Sequence, residues 1–154
     1  MKILLPVDGS APSLQAVGHA VALAKQGLRA NYVIVNVQEP ASLYEMVVVH
    51  DSEAIERLRR AAGADLLAPA EALLDAAGLH YESEAAGGDP HQLLVEMAEN
   101  YGCQAIVMGA SGMGDTAPGD FGSVALEVLR HSPVPVTVVR LPEPVALSDT
   151  ADTA

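Results

Sequence analysis

Short apolar runs alternate with stretches of helical spacing along nearly the whole chain. Ile3, Leu4, Leu5 and Val7 predict a first strand over 2–7. Pro6 is unusual inside an inner strand and belongs where its ladder ends. Asp8-Gly9-Ser10 is a tight turn, with Ser10 as N-cap and Pro12 in the first helical turn. Leu14, Val17, Val21 and Ala24 then recur at helical spacing, and Gly27 is a natural C-terminal stop. A second strand is expected over 31–37. Residues 38–50 have no assignment; the run Met46, Val47, Val48, Val49 suits a strand stub, a lid or part of an interface.

A long helix follows, capped by Asp51 or Ser52. Its expected buried stripe is Ile55, Leu58, Ala62 and Leu66, with Glu53–Arg57 and Glu56–Arg60 pairs on the wet face. Gly63 and Pro69 weaken it, and a kink near Pro69 is expected. It stops at Gly78. A third strand is predicted over 79–85, with Leu79, Tyr81 and Ser83 alternating. Asp89 as cap and Pro90 at N1 then open a helix through Leu93, Leu94, Met97 and Ala98. The remaining units are a strand over 104–108, a Gly-rich loop, a helix over 123–130 and a strand over 135–139.

Strands alternating with helices at this spacing predict one α/β domain over residues 1–140. Its expected form is a doubly wound, five-stranded, mainly parallel Rossmann-like sheet with helices on both faces. The Pro-, Asp- and Thr-rich tail over 141–154 is expected to be disordered. With 154 residues, 50% hydrophobic but only 3% aromatic, the core must be built from Ala, Val and Leu.

The loop over 109–123, GASGMGDTAPGDFGS, leaves a strand tip and ends at a helix N-terminus. Open parallel sheets bind ligands there, and free N–H groups and the helix dipole favour an anion. Glycines in it allow positive φ and close approach to a phosphate. Two phosphate motifs nearly fit. The P-loop spacing from Gly109 to Thr116 has Asp115 in place of lysine. Gly112, Gly114 and Ala117 fit GxGxxA, but Pro118 and Gly119 prevent a helix from starting there. A third pattern fits fully: Gly109, Gly112, Gly122 and Ser123 read G-x2-G-x9-G-[ST].

That loop, with the strand before it and the SVALEVLRHSPVPVTVV unit after it, resembles the ATP-binding segment of the universal stress protein family. The opening ILLPVDGSAPSLQAVGHA is also similar to that family, and the resemblance covers residues 2–140. It implies an adenine-nucleotide-binding protein of the stress response, with ATP, ADP or AMP as ligand. It implies that Asp8 lies beside the adenosine end and that Val37 contacts adenine through its backbone. Gly109, Gly112, Gly122, Ser123 and Val124 would hold ribose and phosphates. Pro6, Val7, Met108 and Met113 complete the implied site. Dimers through the last strand, with Val136 and Val138 at the edge, are implied as well. From the residues themselves, Asp8 reads equally as a turn residue bonding its own backbone, and Val37 as core.

The charge pattern departs from that family. The net charge is −12, which argues against nucleic-acid and anionic-membrane partners. Residues 61–129 contain no Lys or Arg and eleven Asp and Glu. Asp115 and Asp120 stand where such loops commonly carry Arg and Ser. A charge about 6 Å from a phosphate costs about 0.7 kcal/mol in bulk water and about 3 at an effective dielectric of 20. A helix N-terminus returns about 0.3–2 kcal/mol. Mg²⁺ bridging Asp115, Asp120 and phosphates would make up the difference. Otherwise both carboxylates face water, or the ligand is less charged than ATP, or binding is lost.

No catalytic constellation stands out. His19, His50, His80, His91 and His131 are scattered, without metal-ligand spacing, and Cys103 reads as a small buried hydrophobe. At most slow ATP hydrolysis or self-phosphorylation at Ser111, Thr116 or Ser123 is expected. A nucleotide-free dimeric interaction module is the third alternative. With no leader-like or membrane-spanning run, the expected location is the cytoplasm.

Overall fold

The apolar runs form strands whose side chains point alternately into two cores, one on each face of a single sheet. A computed structural model describes residues 1–39, 52–111 and 121–141. The readings made above for the run 46–49, Asp51, the loop residues 112–120 and the tail from 142 lie outside them. In chain order the elements are β1 Lys2–Pro6, α1 Ala11–Lys25, β2 Asn31–Gln38, α2 Ser52–Ala76 and β3 Tyr81–Gly87. They continue with α3 Pro90–Asn100, β4 Ala105–Gly109, α4 Ser123–His131 and β5 Val136–Val139. All strand pairs are parallel, in the order β3-β2-β1-β4-β5. The doubly wound architecture is as expected.

Ile3, Leu5, Tyr32, Ile34 and Val107 face α1 and α2, where Ala16, Val17, Ala20, Leu67, Ala70 and Leu74 meet them. Leu4, Val33, Val35, Ile106 and Met108 face α3 and α4, against Leu94, Met97, Ala98, Cys103, Ala125 and Val128. This alternation is the two-residue period of a strand buried on both sides. Cys103 packs as the small hydrophobe expected of it, and burial pushes its thiol pKa up.

Helix faces differ from the expected stripes. In α1 the buried positions are Ser13, Ala16, Val17 and Ala20, while Leu14 and Val21 pack at its flanks. Small side chains let α1 lie close to the sheet. In α2 the expected stripe holds only in part: Ile55 and Leu66 are half-buried, but Leu58 is 66% exposed and Ala62 is exposed, whereas Leu67, Ala70 and Leu74 are buried. The cause is Gly63. A Cβ there would collide with the Ala85 Cβ of β3. The glycine that lowers helix propensity is thus where α2 rests on the sheet, and this contact selects the buried face. The helix continues through Pro69 without a break.

The ends of several elements also shift. Gly78 takes φ +70°, and Leu79 N–H bonds the Leu74 carbonyl, so Leu79 closes α2 and β3 starts at Tyr81. Gly27, at φ +112°, ends α1 as read. Glu56 pairs with Arg59 at 2.9 Å and not with the expected Arg60, and the Arg59 guanidinium lies over Gly87, where a Cβ would strike it. Asp89 holds the N-cap position of α3 but makes no capping bond. Its Oδ1 lies 2.9 Å from His91 Nδ1 instead.

Two helical glycines therefore separate propensity from packing. Gly18 of α1 has open space where a Cβ would stand. Gly18→Ala should raise stability by about 0.5–1 kcal/mol, and Gly63→Ala should lower it by about 1–3 kcal/mol. Urea unfolding at constant m-value checks both signs.

Candidate functional site

The chain builds β1, β2 and β3 outward in one direction, then returns to place β4 and β5 on the other side of β1. At such a switch point the loops diverge and leave a crevice at the carboxyl ends of the strands. A cleft of about 190 Å³ lies there. Pro6, Val7 and Asp8 after β1, Val35, Val37 and Glu39 of β2, and Met108, Gly109 and Ser111 at β4 line it. Gly122, Val124 and Ala125 at the start of α4 close one side, with Ser13 of α1 and Pro90 and Leu94 of α3.

The β1–β2 ladder ends just where the cleft begins. Its last rungs are Pro6 beside Val35 and the Val7 N–H bonded to the Val35 carbonyl at 2.8 Å. The next rung would join the Val7 carbonyl to Val37. Instead the buried Asn36 amide donates to the Val7 carbonyl at 2.8 Å. Asn31 and Val35 direct their backbone groups towards β1, and Tyr32 towards β3. The two-residue period therefore turns the Val37 N–H and C=O to the β1 side, into the cleft. Asn36 Oδ1 accepts from Gln38 Nε2 at 3.1 Å, and the same Nε2 reaches the Arg59 carbonyl at 3.0 Å. This network ties the end of β2 to α2.

Asp8 Oδ1 accepts from the Ser10 N–H at 2.9 Å, and Asp8 N–H lies 3.4 Å from Ser13 Oγ. The carboxylate thus braces the strand-to-helix turn, through which Gly9 passes at φ +84°. Ser10 Oγ accepts from the Ser13 N–H at 3.3 Å and caps α1. One side chain sets the turn and still presents a half-exposed carboxyl group at the cleft.

Across the cleft, Gly122 N–H donates to the Ala110 carbonyl at 2.7 Å, and Ala110 N–H donates to the Val139 carbonyl at 2.9 Å. The two ends of the Gly-rich loop are therefore joined at the tip of β4. The N-terminus of α4 sits over the cleft, with first-turn N–H groups that have no partner within the helix. Gly122 is the N-cap, at φ −71° and ψ 160°. Neither Gly109 nor Gly122 has positive φ, contrary to the expected use of loop glycines. Gly109 answers to crowding: a Cβ there would lie 2.7 Å from the Pro12 carbonyl carbon.

Of the residues expected at the site, Pro6, Val7, Asp8, Val37, Met108, Gly109, Gly122 and Val124 converge on this cleft. Ser123 is exposed in the first turn of α4 and is not among the lining residues. Gly112, Met113, Asp115 and Asp120 lie outside the described residues. Sequence reading missed Ser13, Val35, Glu39, Pro90, Leu94 and Ala125 as wall residues. Glu39 follows the strand end that carries Val37, and that adjacency could have signalled it. Outside the lining residues, the Arg140 guanidinium lies 5.8 Å from the Phe121 ring centroid.

The chain matches the universal stress protein family over residues 1–140. It belongs to that family. A universal stress protein of Methanocaldococcus jannaschii is 30% identical over 142 residues, 92% of this chain and 83% of that protein. The solved structure of a universal stress protein in complex with cAMP has a TM-score of 0.68 at 26% identity, covering 92% of this chain and 98% of the other. A universal stress family protein of Arabidopsis thaliana, solved with AMP bound, has a TM-score of 0.68 over 98% of each chain. At 17% identity, that last likeness speaks for the universal stress fold alone.

Two residues of this universal stress protein are placed by architecture whether or not a ligand is present. Gly109→Ala should lower stability by about 1–3 kcal/mol by pushing α1 off β4. Asn36→Leu should cost a similar amount by leaving the Val7 carbonyl unpaired. Ser123→Ala, on an exposed site, should stay within about 0.5 kcal/mol. Denaturant unfolding of ligand-free protein measures all three.

Proposed function

We propose that the cleft binds an adenine nucleotide, ATP in the first instance, and that the protein is a nucleotide-dependent regulator in the stress response rather than a catalyst of turnover. The observation that carries this reading is the Val37 backbone edge, turned into an apolar cleft opposite a helix N-terminus. A paired N–H and C=O suits the donor–acceptor edge of adenine. Val35, Met108 and Leu94 supply apolar walls for the base. The Asp8 carboxylate, with one oxygen engaged by Ser10, accepts from ribose hydroxyls or the adenine amine. Gly109, Gly122 and the first N–H groups of α4 receive phosphate. The cAMP complex of a family member at 26% identity supports an adenine nucleotide as ligand class.

Charge favours binding over chemistry. Among the described residues, no Lys, Arg or His lines the cleft, and Asp8 and Glu39 bring negative charge to it. Phosphoryl transfer needs cations placed at the transferring group. In this reading Mg²⁺ held by Asp115, Asp120 and the phosphates offsets part of the charge. Cytoplasmic nucleotide pools fit that demand.

Pairing through β5 belongs to the same proposal. β5 is an edge strand whose Val136 and Val138 are only half-buried, and a strand edge invites a second copy. Val138→Lys should convert a dimer to a monomer in sedimentation velocity, and an unchanged sedimentation coefficient would remove β5 from the interface.

Isothermal titration with ATP, ADP, AMP and cAMP, with and without Mg²⁺, tests the ligand. Saturable binding that Gly122→Asp abolishes is expected, since the new carboxylate would stand at the N-terminus of α4. Tighter ATP binding in Mg²⁺ would support the role given to Asp115 and Asp120. Absence of heat, together with no rise in melting temperature at millimolar nucleotide, would overturn the proposal, because any native-state ligand stabilises by mass action.

A further inference from the structure

Outside the cleft lining, the start of α3 meets the C-terminal half of α4. His91, Glu127 and His131 come together there, with one donor atom from each residue all lying within 4.8 Å of one another. The imidazoles of His91 and His131 are stacked, with centroids 5.8 Å apart and planes 24° apart. Glu127 Oε2 is 3.2 Å from His131 Nε2. We propose that His91, Glu127 and His131 form a binding site for a divalent transition-metal ion of the zinc type, clipping the start of α3 to the end of α4.

The donor set decides the class of ion. Two imidazoles and one carboxylate match borderline ions such as Zn²⁺, whereas Mg²⁺ and Ca²⁺ prefer oxygen shells. Three protein ligands leave the fourth tetrahedral position to water. The donors must close to the roughly 3.3 Å edge of a tetrahedron with 2.0–2.1 Å bonds. Glu127 and His131 already stand at that separation. His131 is exposed, and rotation of exposed side chains is fast and inexpensive.

A supporting group is also in place. Asp89 Oδ1 lies 2.9 Å from His91 Nδ1, so the carboxylate fixes the ring and leaves Nε2 to bind. Ligating histidines commonly have such a carboxylate partner. This explains why Asp89, at the N-cap position, makes no capping bond. Arg130 Nη1 engages the other oxygen of Glu127 at 3.1 Å, leaving Oε2 for the ion. Glu127 and His131 are four residues apart on one helix, and only the fold brings His91 to them.

The test uses the full chain without a polyhistidine tag, freed of metal with a chelator and titrated with ZnCl₂ against a chromophoric competitor. One Zn²⁺ per chain is expected, undisturbed by excess MgCl₂. The double variant His91→Ala/His131→Ala should abolish it, and Asp89→Asn should weaken it by about 10–100-fold. His19→Ala and His80→Ala should leave it unchanged. Circular dichroism checks folding, and Glu127→Gln, with its nearly unchanged shape, decides the matter if the double variant unfolds. No saturable Zn²⁺ binding, or binding that survives these substitutions, would overturn the proposal and leave the cluster as an ordinary ion-pair network.

Discussion

A hydrogen bond from a buried side chain holds the site open. By donating to the Val7 carbonyl, Asn36 takes the place of the next backbone rung between β1 and β2. The two strands separate one residue earlier than a regular ladder would allow. The Val7 carbonyl is satisfied without Val37, and the Val37 edge is released to the cleft. A buried, unpaired carbonyl would be costly, so the separation is stable only because the amide is there. Gln38 and the Arg59 carbonyl complete the network and tie the cleft wall to the packing of α2.

Close helix–sheet contact is the second constraint, and absent side chains set it. α1 touches the end of β4 through Gly109 and Pro12, and α2 touches β3 through Gly63 and Ala85. Few aromatics and many Ala and Val make a thin core, so the helices must approach closely to fill it. Both contacts act near the carboxyl ends of the strands. The packing that stabilises the domain therefore also positions Asp8 and the tip of β4.

Much of this was legible in the sequence. The Val/Ile/Leu runs fix strand identity because burial on both faces permits little else. Ser10, Gly27 and Pro90 mark helix boundaries by local chemistry. The order of elements indicated the crevice, while the strand-end residues such as Val37 came from the family resemblance and read as core on their own. What failed depended on partners distant in the chain. The α2 stripe through Leu58 and Ala62 was misjudged because propensity marks Gly63 as a weakness, while tertiary contact makes it the point of closest approach. Asp89 was misread because His91 competes for its carboxylate. The His91–Glu127–His131 cluster went unseen because Glu127 and His131 leave only an ordinary i,i+4 spacing, and helix crossing alone brings His91 to them.

The bond between Gly122 and the Ala110 carbonyl has an evolutionary corollary. It joins the flanks of residues 111–121, so the two ends of that segment are held together at the tip of β4. Doubling the length of a closed loop costs only about 0.6 kcal/mol in closure entropy. Between those anchors, lineages are free to lengthen the segment, shorten it or reverse its charge while the sheet stays intact. On this view the acidic character of Asp115 and Asp120 can change on a constant frame without refolding the domain.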